Sequence, residues 1–213
     1  MNKFSFYTHF NSLYLFTKEQ SLKVLNDIKK RENDSKTIMM VDTARLFDNL
    51  TVAINVLMAD GVYFCFPHKS FQEYYAANYI VCNDEQTRKI IYKKLVMKFF
   101  GTNSALLTYS LLSMLYEMDK ILFVNEFLLP ILYKVKESIQ LNAFSTIGIS
   151  NLERLLAMVN EMFLGYDTNI VRRLFANGAE KNHLNEINKL ILHAEQEINE
   201  RRGDEDFIDE ILM

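Results

Sequence analysis

The stretch 64-FCFPHKSFQEYYAANYI-80 changes from an extended pattern to a helical one at a proline. Residues 62-VYFCF-66 are short, aromatic and β-branched, which is typical of a strand. Because Pro67 disfavours the helical conformation for the residue before it, Phe66 is expected to be extended. We therefore predict a strand over 62–66 that ends at Pro67.

The residues that follow predict a helix. Ser70 has Glu73 three residues later, which is the pattern of a capping box, so the helix is expected to begin at Ser70. Phe71 and Tyr75 are four residues apart and share one side of that helix. The apolar arc is so wide that we expect the helix to be nearly surrounded by protein, with both aromatic residues as core anchors. The small pair Ala76–Ala77 would allow another helix to approach closely.

Two more helices are predicted upstream. Thr17 and Gln20 form a second capping-box pattern, which opens a helix to about Asn33. The polar stretch 31–36 is expected to be a loop. Apolar residues spaced three and four apart then predict a helix over about 43–58.

Asp60-Gly61 is a turn signal just before the 62–66 strand. A partner for that strand is expected near 37-TIMMV-41. Helix, helix, turn and short strand is the order of a winged-helix module. We therefore predict a winged-helix-like region over 1–82 with a minimal β-element, and a C-terminal α-helical domain over 83–213.

The second region has only helical signals, so the fold class is mainly α, with a bundle or solenoid-like second domain. The lysines of its first helix are expected to face water, and Pro130 should bend or break a later helix. Another capping box opens a helix at Ser150. The predicted helices cover about 85–100, 104–118, 120–138, 150–163, 168–177 and 181–201. The lysines are Lys89, Lys93, Lys94 and Lys98.

Composition limits the classes of function. The chain has 213 residues, is 49% hydrophobic and holds six Gly and two Pro, which favours a globular protein of long helices. Its net charge of −3 argues against a binder of nucleic-acid backbones, and a DNA-binding winged helix is further disfavoured by the lack of a basic recognition helix. Charged residues interrupt the apolar stretch 104–135, so no membrane span is expected.

No catalytic or metal-binding constellation is predicted. Cys65 and Cys82 have no ligand spacing and are interpreted as reduced core residues of a cytoplasmic protein. His9, His183 and His193 have no partners at metal-ligand spacing.

The acidic stretch 203-GDEDFIDEILM-213 also carries Phe207, Ile208, Ile211 and Leu212. This amphipathic pattern predicts either a segment that docks in a groove, on its own domain or on a partner, or a frayed end.

His68 lies just before the predicted start of the helix, where free backbone N–H groups favour an anion. An imidazole there is able to donate a hydrogen bond to a phosphate oxygen. The alternative is that His68 bonds a carbonyl and fixes the turn. The residues alone leave both interpretations open.

The same stretch resembles a known family through nine residues of the pattern F-x-H-x-S-F-Q-E-Y-x-A-A. They are Phe66, His68, Ser70, Phe71, Gln72, Glu73, Tyr74, Ala76 and Ala77. The pattern is similar to the winged-helix region of NACHT-type STAND NTPases, a class that includes animal inflammasome receptors and bacterial anti-phage proteins. Residues 46-LFDNLTVAINVLMADGVYF-64 are similar to the family's preceding helix. The resemblance covers about residues 1–82.

The resemblance implies that His68 approaches the β-phosphate of ADP in a closed switch. The chain has no G-x-x-x-x-G-K-[ST] loop and no strand that ends in paired acids. We therefore expect a non-catalytic part of such an NTPase, which meets ADP or ATP only through an NTPase core, and which has that core or a second copy as its protein partner. The alternative is a stand-alone helical interaction module that does not depend on nucleotide.

Overall fold

The computed structural model describes residues 1–34, 42–101, 107–140, 184–185 and 187–200. The described residues are mainly helical, with a small three-stranded antiparallel sheet, which confirms the predicted fold class. The chain divides into two compact units, Met1–Asn83 and Asp84–Met213.

The first unit contains four helices and three short strands among its described residues. A π-helical turn, Asn49–Ala53, continues the third helix. In chain order the elements are α1 (Asn2–Phe10), β1 (Phe16–Thr17), α2 (Lys18–Asp34), α3 (Thr43–Asp48), β2 (Met58–Asp60), β3 (Tyr63–Cys65) and α4 (Lys69–Val81).

The strands form a sheet in the order β1-β3-β2, in which β3 is antiparallel to both neighbours. The predicted strand is therefore present as β3, and the predicted turn is the hairpin loop before it, where Gly61 has φ 62°. A positive φ costs glycine little because it has no Cβ. The partners of β3 are β1 and β2, whereas the predicted partner 37–41 lies outside the described residues.

The predicted helix over 43–58 is too long. The helical path ends after the π-helical turn, because Asn55 adopts a φ of 53° and the N–H groups of Val56 and Leu57 both donate to the carbonyl of Leu50. A left-handed residue cannot continue a right-handed helix. The chain is thereby redirected, and residues 58–60 form β2.

The Thr17–Gln20 capping box is confirmed. The Thr17 N–H donates to Gln20 Oε1 at 2.8 Å, and the Gln20 N–H donates to Thr17 Oγ1 at 3.3 Å. The helix that this box opens runs to Asp34, so the predicted loop is wrong for residues 31–34, and residues 35–36 lie outside the described part of the chain.

Aromatic rings fill the core of the first unit. Phe16 on β1 lies edge-on to Phe4 on α1, with 5.7 Å between ring centroids, and 6.4 Å from Phe66 after β3. Phe47 on α3 meets Phe64 of the central strand at 4.9 Å. Such edge-to-face pairs add about 0.5–1.5 kcal/mol each beyond the burial of their area. The rings hold the sheet against the helices that precede and follow it.

The described elements of the second unit are all helices. The predicted junction between the helices over 104–118 and 120–138 is confirmed at Asp119, and a π-helical turn over Val124–Leu128 comes just before Pro130. Proline has no N–H to donate to the carbonyl four residues earlier, so a local widening of the helix is its expected effect. The elements are α5 (Glu85–Phe100), α6 (Tyr109–Met118), α7 (Lys120–Phe123), α8 (Leu129–Gln140) and a helix over 187–200.

Several sequence predictions fall on this unit. The last predicted helix is confirmed over residues 187–200, where Ile187, Ile191, Ala194 and Ile198 are spaced three and four apart and are all buried, while Leu184 before them is half-buried. The predicted helices from Ser150 and over 168–177 lie outside the described residues. Among the lysines of α5, Lys93 and Lys94 are exposed, whereas Lys89 and Lys98 are half-buried. No helix in the described ranges is both long and apolar enough to cross a membrane.

Candidate functional site

His68 is the N-cap of α4. Its Nδ1 accepts a hydrogen bond from the Ser70 backbone N–H at 3.2 Å and lies 2.7 Å from Ser70 Oγ. The helix therefore begins at Lys69. The predicted Ser70–Glu73 capping box is wrong, because His68 is the N-cap and its imidazole accepts from the Ser70 N–H, so that Ser70 already lies inside the helix.

This cap assigns different tasks to the two nitrogens of the His68 ring. When Nδ1 accepts this backbone N–H, the neutral ring carries its proton on Nε2, whereas the contact with Ser70 Oγ takes its direction from the tautomer. The side chain is exposed, and it stands at the positive end of a 13-residue helix. The arrangement leaves one nitrogen to cap the helix and one N–H to donate to an external acceptor. Contact with an ADP phosphate remains a prediction.

Gln72 fixes the first turn of α4 to α1. Its side chain is only 1% exposed. The amide nitrogen donates to Thr8 Oγ1 at 2.9 Å and to the carbonyl of Leu13 at 3.0 Å. Thr8 in turn donates to the carbonyl of Phe4 at 2.9 Å. Both amide hydrogens are thus satisfied inside the first unit, which makes this buried polar contact favourable.

Glu73 is the second buried polar residue of the motif. Its carboxylate is almost fully enclosed and lies 3.8 Å from the ammonium group of Lys69, one turn earlier. The Lys69 ammonium also lies 4.7 Å from the ring centroid of Tyr14, within cation–π range. The positive charge beside the His68 cap is therefore held near the helix by two contacts.

The alanine pair of the motif allows the close helix approach that its size predicts. Ala76 and Ala77 are fully buried where α4 packs on α1. Further along the helix, the Tyr79 ring lies 4.8 Å from the ring of Phe6 on α1, centroid to centroid, with the two planes tilted by 44°. Together with Gln72, the pair makes the inner face of α4 a packing surface for α1.

The outer face of α4 differs from the prediction. Phe71 is 50% exposed and Tyr74 is 43% exposed, while Tyr75 is half-buried against the aromatic core. Phe71 is therefore not a core anchor, and the helix is not surrounded by protein within its own unit. The reason is that Gln72 and Glu73 occupy the inner face, where they find polar partners.

A polar network in the second unit was not singled out by the sequence. Asp119, between α6 and α7, accepts from Arg88 Nη1 at 2.6 Å and from the Tyr92 hydroxyl at 2.8 Å. Burial, with the nearby Asp119 charge and its hydrogen bond as further causes, raises the pKa of Tyr92 far above its ordinary value. The aspartate thereby ties α5 to the α6–α7 corner. In the sequence, the one indication of this role is that Asp119 directly follows an apolar helix.

A cavity of about 700 Å³ lies beside this network. Its cations are already paired: Lys89 lies 2.5 Å from Glu85, and Lys120 lies 3.0 Å from Glu197. Charges of both signs on its wall give it no net preference for an anion or a cation. Its lining residues are Glu85, Arg88, Lys89, Met118, Asp119, Lys120, Ile121, Leu122, Asn125 and Glu126.

The remaining candidates carry no site. His9 is buried in α1, His193 lies 4.0 Å from Glu197, and His183 lies outside the described residues. No group of three or more potential metal ligands occurs in the part of the chain that the structure describes. Both cysteines are free thiols, but Cys65 is half-buried and Cys82 is exposed at the end of α4, so the prediction of core cysteines is wrong.

Comparison of the chain with protein-family models, with curated proteins and with solved structures finds no match in any of the three. A function for the chain is therefore inferred from the motif and from the geometry of α4.

Proposed function

We propose that this chain is the non-catalytic regulatory or scaffold part of a NACHT-type signalling NTPase. Its setting would be the cytoplasm, in bacterial anti-phage defence or a related signalling process. The observation that carries the proposal is the position of His68: its Nδ1 caps α4, and its exposed ring stands at the helix N-terminus. A phosphate contact would use the other ring nitrogen as its donor, beside the N–H groups at the start of the helix.

The rest of the motif supports this proposal by fixing the donor in place. Gln72 bonds α1 and the turn after it, and the Ala76–Ala77 pair packs against α1. The N-terminus of α4 is therefore anchored to the first unit one turn beyond His68. A group held this way loses little conformational entropy when it binds.

Nucleotide binding needs a second component. A net hydrogen bond contributes about 0.5–1.5 kcal/mol, and a helix N-terminus adds about 1 kcal/mol. Micromolar affinity needs about 8 kcal/mol. ADP or ATP is therefore bound only together with an NTPase core, supplied by another chain or by a further segment of a longer protein.

Calorimetry of the isolated chain with Mg-ADP tests whether nucleotide binding needs the NTPase core. We expect no ATP hydrolysis and no affinity for Mg-ADP tighter than about millimolar, since the contacts on this chain sum to only a few kcal/mol. Micromolar binding by the isolated chain would show that it holds a complete site and would contradict the proposal.

One observation favours a second candidate, a helical interaction module that needs no nucleotide. Phe71 and Tyr74 are three residues apart and expose their rings on the outer face of α4. Aromatic residues are enriched at protein interfaces. On this alternative, Phe71→Ala would abolish capture of the partner, and capture would be the same with and without ADP. On the first proposal, ADP changes the strength of capture.

A further inference from the structure

Two groups of Ser70 meet at one nitrogen of the His68 ring. The backbone N–H of Ser70 lies 3.2 Å from Nδ1, and the hydroxyl oxygen of the same residue lies 2.7 Å from it. A backbone N–H is able only to donate, whereas a hydroxyl group is able to donate or to accept. The direction of the hydroxyl contact therefore depends on which nitrogen of the ring carries the proton.

Only one tautomer satisfies both contacts. With its proton on Nδ1, the ring would donate to the Ser70 hydroxyl, and the Ser70 backbone N–H would face another N–H instead of a lone pair. The first turn of α4 would then lose the acceptor that caps it. With its proton on Nε2, the ring accepts at Nδ1 from the backbone N–H and from the hydroxyl.

We propose that Ser70 is a positioning residue for His68: its hydroxyl donates to Nδ1 and holds the neutral ring in the tautomer that carries its proton on Nε2. This role rests on the proposed function, in which Nε2–H donates to a phosphate oxygen. The hydrogen bond made by one ring nitrogen sets the protonation of the other. The hydroxyl contact is the shorter of the two, and we expect it to be the stronger.

The tautomer decides what the ring offers to a ligand. The two nitrogens lie on opposite sides of the ring, so Nε2 is directed away from Ser70. In the tautomer that Ser70 selects, an acceptor such as a phosphate oxygen meets an N–H at that position. In the other tautomer it meets a lone pair, which cannot donate to an anion.

Nuclear magnetic resonance of the full chain with ¹⁵N-labelled histidine tests the role of Ser70 without any nucleotide. A ring nitrogen that carries a proton and one that does not have widely separated ¹⁵N shifts. At a pH where the ring is neutral, the two shifts therefore give the tautomer ratio. The signals that vanish in His68→Asn belong to His68.

Two variants of Ser70 provide the comparison. Ser70→Ala removes the hydroxyl but keeps the backbone N–H, and it leaves His68 in place as the N-cap. Ser70→Thr keeps the hydroxyl. We expect a ring protonated mainly on Nε2 in the native chain and in Ser70→Thr. In Ser70→Ala the tautomer ratio should shift by roughly two- to tenfold toward Nδ1, the effect of one lost hydrogen bond.

Three results would overturn the role of Ser70. They are a native ring protonated mainly on Nδ1, an unchanged ratio in Ser70→Ala, and a shift in Ser70→Thr as large as that in Ser70→Ala.

The release of ADP from the complex with the NTPase core separates this role from the proposed function. If both hold, Ser70→Ala releases ADP faster than the native chain and has no further effect in the His68→Asn background. A shifted tautomer together with unchanged release from His68→Asn would contradict the proposed function and leave the role of Ser70 in place. An unshifted tautomer together with faster release from His68→Asn would contradict the role of Ser70 alone.

Discussion

The side-chain amide of Gln72 donates to the Thr8 hydroxyl at 2.9 Å and so joins α4 to α1 across 64 residues of sequence. This buried contact explains why the aromatic neighbours of Gln72 point outward. A helix has one inner face, and here polar residues with partners occupy it.

Gln72→Met should therefore lower the free energy of unfolding by about 1–3 kcal/mol. Methionine has a similar length, but it leaves the Leu13 carbonyl without the donor that it has in the native protein. Urea unfolding of the full chain, followed by circular dichroism, measures the change. A variant as stable as the native protein would show that the buried bonds contribute nothing.

Phe71→Ala is the matched test on the adjacent residue. Because the side chain is 50% exposed, we expect a loss of about 1 kcal/mol or less in the same experiment. A fully buried phenylalanine would cost about 3–5 kcal/mol, the value expected from the sequence pattern alone. A loss in that higher range would place Phe71 in a core.

Local signals in the sequence predicted several elements correctly. The Thr17–Gln20 box, the turn at Gly61 and the spacing of the last helix each depend on residues close together in the chain. These three features could therefore be predicted without knowledge of contacts between residues far apart in the sequence.

The predictions are wrong where contacts between residues far apart in the sequence determine which side chains are buried and where an element begins. Gln72 is buried because Thr8 and Leu13 accept its hydrogen bonds, and an apolarity pattern gives no sign of that. The strand β1 is two residues long and exists only because β3 lies beside it. His68 rather than Ser70 caps α4, and the capping-box pattern did not distinguish the two.

Tyr92→Phe should change how stability depends on pH. The folded protein raises the pKa of Tyr92 above its ordinary value of about 10, so the unfolded chain releases this proton first as pH rises. The contribution of the hydroxyl is therefore constant below about pH 10 and falls above it, by up to about 1.4 kcal/mol per pH unit.

Unfolding free energies of the native protein and of Tyr92→Phe, measured in parallel between pH 7 and about pH 11, isolate this effect from the other tyrosines and from the lysines. We expect the difference between the two proteins to shrink or change sign above about pH 10. A difference that stays constant over the whole range would mean that Tyr92 ionises equally in both states.

The central claim is that His68 serves a nucleotide held by an NTPase core, and His68→Asn isolates that role. Asparagine is a good N-cap, so it preserves the start of α4 while it replaces the imidazole donor by the amide of a shorter side chain. The variant should unfold at the same urea concentration as the native chain.

The most direct measurement is the dissociation of ADP from the complex of this chain with the P-loop NTPase that co-purifies with it, for the native chain and for His68→Asn. Loss of one hydrogen bond of about 0.5–1.5 kcal/mol predicts release roughly two- to tenfold faster in the variant, with folding intact. Equal release of ADP from the native and the variant complex would contradict the claim.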